Sequence, residues 1–165
     1  HGKHCNMIEA IKKFVQQHIV AAMNGTEEKV AEHGVRLATA ALLMEVMQVD
    51  ADTADKERQR ITGLLRKRFE LSDGETAELM RLSEAEAKEA TDYFQFTSMI
   101  NRVFTAAQKI DVVEHLWQVA YADGMLDKHE EHAIRKIAEL LYVPHPAFIA
   151  AKIRVRDAQS VEGQE

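Results

Sequence analysis

Two stretches of the chain decide the fold: LMEVMQVDADTADKERQRITGLLRKRF, residues 43–69, and LWQVAYADGMLDKHEEHAIRKIAELLY, residues 116–142. A shift of 73 residues lays one on the other. Leu43 then falls on Leu116, Val46 on Val119, Asp50 on Asp123, Glu57 on Glu130, Ile61 on Ile134, Leu64 on Ile137 and Phe69 on Tyr142. Each stretch reads as a helix running into an Asp loop. Seven residues after the Asp, a Glu stands in the first turn of the next helix. Any two amphipathic helix pairs can be aligned on apolar positions at three and four spacing. Here the Asp and the Glu match as well, which points to a duplicated helix-loop-helix. Such a duplication predicts two acidic loops related by an approximate twofold axis.

Working outward, the remaining sequence is also helical in pattern. The only prolines are Pro144 and Pro146, so the 143 residues before them lack the strongest helix breaker. Alternating strands and turn-linked hairpins of β-branched residues are missing. A first helix is expected over Met7–Met23, closed by Asn24-Gly25. Thr26 caps a second, with Gly34, Leu37, Ala38, Ala41 and Met44 on one stripe. A third carries Ile61, Leu64, Leu65 and Phe69. Ser72 with Glu75 spells a capping box for a fourth, running to about Lys88. Asp92 opens a fifth with Tyr93, Phe96, Thr97 and Ile100 inward. A sixth, Thr105 to Ala122, buries Ile110, Val113, Leu116, Trp117 and Ala120. Asp127 and Glu130 form a second capping box, and a short last helix follows the turn at Pro144-His145-Pro146. The expected fold class is all-α, a bundle of seven to eight helices in pseudo-twofold halves. One domain is drawn over residues 1–156, with a mobile polar tail at 157–165.

Composition narrows the function classes. A net charge of −6 disfavours nucleic acid, because phosphate binding needs a cationic surface. The single cysteine, Cys5, cannot form an internal disulfide, which suits a reducing cytoplasm. No apolar run approaches the ~18 residues of a transmembrane segment. A soluble cytoplasmic protein is the expectation compatible with these features. The oligomeric state stays open, a homodimer included.

The acidic loops are the candidate chemistry. One supplies Asp50, Asp52, Asp55 and Glu57; the other supplies Asp123, Asp127, Glu130 and Glu131. Calcium, magnesium and manganese take several oxygen ligands, so two such loops together could hold a divalent cation. The spacing is not that of an EF-hand, because Gly124 directly follows Asp123. The competing reading gives Asp127 and Glu130 to helix capping, worth ~1 kcal/mol without any metal. Both readings stay open on the residues alone. His129 and His132, beside Glu130 and Glu131, could attract zinc or iron, yet His132 lies off the stripe of Ile134. Phosphate loops, nucleophile elbows and His-Glu-x-x-His are missing, so no enzyme is expected.

At Tyr121-Ala122-Asp123-Gly124-Met125-Leu126-Asp127-Lys128-His129-Glu130-Glu131, followed by Ile134 to Leu141, the chain resembles the TerB family of tellurite resistance operons. A similar domain begins some membrane-anchored DnaJ-type co-chaperones. The resemblance spans roughly Ala22 to Arg156. It implies about seven helices, an acidic and metal-binding face, a stress-response role near the inner face of the membrane, and a protein partner. The implied site residues are Asp50, Glu57, Asp123 and Glu130, with Asp127 beside them as the matching motif position. Ala51 and Ala54 stand where the second half has Gly124 and Asp127, which makes the first half-site poorer. The expected function is a non-enzymatic cation-binding module. The alternative is a partner-binding scaffold whose acidic loops only cap helices.

Overall fold

The computed structural model describes Lys13 and residues 28–85 and 93–162. Among them the chain forms seven helices and no strand: α1 Glu28–Val46, α2 Asp55–Lys67, α3 Asp73–Ala85, α4 Phe94–Val103, α5 Ala106–Tyr121, α6 Lys128–Leu140 and α7 His145–Glu162. The helix expected over Met7–Met23 and the opening at Asp92 lie outside the described residues, save Lys13, which is helical. Contacts group the chain into two units, cut between Asp92 and Tyr93. Each unit holds one of the two aligned stretches.

In the first unit α3 packs on both α1 and α2. The centre of α1 departs from the one-stripe expectation. Every residue from Leu37 to Met44 is buried, because Leu-Ala-Thr-Ala-Ala-Leu-Leu-Met is apolar on all sides and such a helix belongs inside. Thr39 is the exception in composition, and its hydroxyl donates to the Val35 carbonyl at 2.7 Å. Ile61 and Leu65 of α2 and Leu79 of α3 complete this core.

In the second unit α5 packs mainly on α7 and also on α6, while α6 meets α4. Leu116, Trp117, Ile134 and Ile137 are buried as their stripes predict. Ile110, expected inward, is only half-buried at the start of α5. Asn101 of α4 donates from Nδ2 to the Leu140 carbonyl at 2.9 Å, capping the end of α6. The last helix is not short. It starts at His145, tolerates Pro146 in its first turn and continues to Glu162, past Asp157, from which the sequence predicts a polar tail.

The shift of 73 residues recurs in two of the helices. α2 and α6 both have 13 residues, and their starts, Asp55 and Lys128, stand at the 73-residue shift. The register then slips by one at their ends, so Phe69 does not correspond to Tyr142. Phe69 is buried, whereas Tyr142 is 78% exposed and Leu141 takes the inner place. The reason is local. After α2, Arg68 adds a right-handed residue before Glu70 turns to φ 53; after α6, Tyr142 itself turns to φ 58.

One polar tie joins α1 to α3. Glu75 uses both oxygens: Oε1 accepts from the Ser72 amide at 2.9 Å, and Oε2 lies 2.8 Å from His33 Nε2. Burial pushes the Glu75 carboxyl up. The His33 hydrogen bond, the Ser72 amide and the His33 charge outweigh it and hold Glu75 below its ordinary 4.5. A depressed carboxylate stabilises the fold above its unfolded pKa and loses that contribution as pH falls through the folded one. Urea unfolding of the wild type and of His33→Ala should therefore differ above the ordinary 4.5 of Glu75, where the carboxylate contributes in full. The two should converge at more acidic pH, and a gap that persists there would contradict the tie.

Candidate functional site

The two acidic loops close on themselves by different means. In the first, the Asp50 amide donates to Thr53 Oγ1 at 3.0 Å, and the Thr53 amide donates to the Asp50 carbonyl at 3.2 Å. Asp50 Oδ1 accepts from the Asp52 amide at 2.9 Å. That is the pattern of an Asx turn, in which a short carboxylate replaces a backbone acceptor. Ala54 occupies the N-cap of α2 and offers no side-chain hydrogen bond to the helix start. Glu57 lies at the third position of α2, 3.8 Å from Arg60 Nη1.

The second loop turns at Gly124, whose φ of +59 suits a residue without Cβ. Asp127 then caps α6. Its Oδ1 accepts from the Glu130 amide at 2.8 Å, and Glu130 Oε1 accepts from the Asp127 amide at 3.0 Å. This is the capping box read from the sequence, with both partners in place. Ser72 and Glu75 start α3 in the same way. Thr105 and Gln108 do so for α5, a third box whose signature was present but unread.

The five expected site residues are therefore divided. Asp127 and Glu130 meet each other; Asp50 meets Asp52 and Thr53; Glu57 faces Arg60. Asp50 and Glu57 belong to the first unit, and Asp123, Asp127 and Glu130 to the second. Among the described residues, no group of three or more His, Cys, Asp or Glu side chains is gathered so as to hold a metal ion. The histidines at 129 and 132 do not form one either.

Sequence reasoning missed a different feature. In the second unit an open groove of about 340 Å³ runs between α6 and α7 over the side of Trp117. Its α6 wall is Lys128, Glu131, His132 and Arg135; its α7 wall is His145, Phe148, Ile149 and Lys152. Trp117 is buried, stacked on Tyr121 at 5.5 Å and tilted against Phe148 at 5.6 Å. Lys152 Nζ stands 5.1 Å over the indole, within cation–π range. The available signal was the seven-residue spacing of Lys128 with Arg135 and of His145 with Lys152.

The profile of the family described as tellurite resistance protein TerB matches residues 36–153 of this chain. Comparison with curated proteins and with solved structures gives no match. The match begins within α1 and ends within α7, so it includes both acidic loops.

The capping geometry makes a reciprocal prediction. Asp127→Ala should cost about 1 kcal/mol, the usual value of an N-cap. Ala54→Asp should return a similar amount, because Glu57 already stands three residues on and completes a box. Both are read from urea unfolding. If Ala54→Asp gains nothing while Asp127→Ala is silent, the carboxylates are not acting as caps.

Proposed function

The chain belongs to the TerB family, and we propose that it is a non-enzymatic partner-binding module of the tellurite-resistance type, acting in stress response, with Asp127 and Glu130 of its second acidic loop serving as a helix start. One observation carries this reading. The carboxylates with the strongest claim to a metal, Asp127 and Glu130, already exchange hydrogen bonds with each other's amides. Those bonds satisfy two of the orphan donors of α6, a need present with or without any ion. Tyr142 adds support. An aromatic ring held 78% exposed on left-handed backbone is offered to solvent at a conformational cost. Among the described residues no helix is long and apolar enough to cross a membrane.

A second reading keeps the divalent cation. It is favoured by the repetition itself: α2 and α6 share length and register, and both carry acidic first turns, Asp55 with Glu57 and Glu130 with Glu131. Calcium, magnesium or manganese would then draw on Asp50 and Glu57 within the first unit, or on Asp123, Asp127 and Glu130 within the second.

Thermal unfolding separates the two. A cation that binds only the folded chain stabilises it by about 2.7 kcal/mol at 100 times its dissociation constant. The module reading expects no ion-specific rise in Tm with calcium, magnesium, manganese or zinc. A rise of several degrees with one of them, lost in Asp123→Asn with Glu130→Gln, would overturn it in favour of the cation site.

A further inference from the structure

The groove between α6 and α7 inverts the sign of the molecule. The chain carries a net charge of −6, yet the groove brings Lys128, Arg135 and Lys152 together with two imidazoles and one carboxylate, Glu131. Among the described residues Lys128 and Lys152 form no ion pair, and Arg135 reaches only Glu139, one turn along its own helix, at 3.9 Å. A surface charge with a good partner is neutralised within the chain; these cations are not. Collecting like charges along one cleft raises the local concentration of anions.

The shape says which anion. Lys128 and Arg135 stand seven residues apart on α6, as do His145 and Lys152 on α7. Each pair is two helical turns apart, roughly 10 Å. A lone phosphate would meet only one end of this array. A nucleobase would need a bare aromatic face, and the Trp117 ring is already covered by Tyr121, Phe148 and Lys152. An extended peptide places alternate side chains on one side roughly 7 Å apart, so acidic residues two apart can reach both ends.

We propose that this groove docks an extended acidic segment of a partner protein, its carboxylates on Lys128, Arg135 and Lys152. This rests on the partner-module reading and names the chemistry of the partner. Trp117 is the only tryptophan in the chain, so its fluorescence reports on the groove alone. The probes are hexaglutamate, hexalysine and inorganic phosphate, added to the full chain at low salt. Hexaglutamate should change the Trp117 signal saturably. The dissociation constant should rise ~tenfold or more on adding salt, or in Lys128→Glu with Arg135→Glu, which circular dichroism should show to be folded. A flat hexaglutamate titration, an equal response to hexalysine, a response untouched by the double substitution, or saturation by phosphate at matched charge would each overturn the proposal. If hexaglutamate fails and the four cations leave Tm unchanged, the groove is wrong and the module reading stands. If hexaglutamate fails and a cation raises Tm, both fall.

Discussion

The exchange of hydrogen bonds between Asp127 and Glu130 sets much of the second unit. The first amides of a helix have no partner within the helix and take one from a side chain or from water. Here two side chains three residues apart satisfy each other's backbone at 2.8 and 3.0 Å. That fixes where α6 begins and therefore its rotational phase. Ile134 and Ile137 turn into the core, while Lys128, His132 and Arg135 turn to the groove shared with α7. The same bonds bear on chemistry. An oxygen that accepts from an amide has less to offer an ion, so capping and metal binding would compete for Asp127 Oδ1 and Glu130 Oε1.

The two halves solve one problem differently. Both need a chain reversal between a buried helix and a 13-residue helix. The first half closes its reversal with the Asp50–Thr53 turn and leaves the start of α2 with Ala54. The second uses Gly124 for the reversal and Asp127 for the cap. Repetition of the apolar positions has therefore been kept, while the polar residues have taken different tasks. In the first unit the His33–Glu75 contact and the 2.6 Å pair of Arg58 with Glu84 add polar ties to α3.

Much of the fold was legible because local rules and burial agree. Ser72 with Glu75 and Asp127 with Glu130 mark helix starts that tertiary packing has no reason to override. Leu116, Trp117, Ile134 and Ile137 lie at helical spacing and are buried. Legibility failed where the signal is not local. Leu37 to Met44 is apolar on every face, so periodicity could not tell a stripe from a wholly enclosed helix. The slip between Phe69 and Tyr142 comes from one residue at a helix end, where boundaries are set by backbone turns rather than pattern. The long α7 was hidden because its second half carries little apolar periodicity. The groove was invisible for a deeper reason: Lys128 and Lys152 are 24 positions apart, and only the packing of both α6 and α7 on α5 brings them to one groove.

The most direct test of the capping role is hydrogen exchange at the amides of Asp127 and Glu130, followed with and without calcium, magnesium, manganese or zinc. Both amides donate to carboxylates in the structure. They should therefore be protected in the metal-free chain, lose protection in Asp127→Ala, and keep the same rates when any of the four ions is added. Unprotected amides in the metal-free chain, or protection that appears or vanishes with one ion, would contradict the account and return these carboxylates to a cation site.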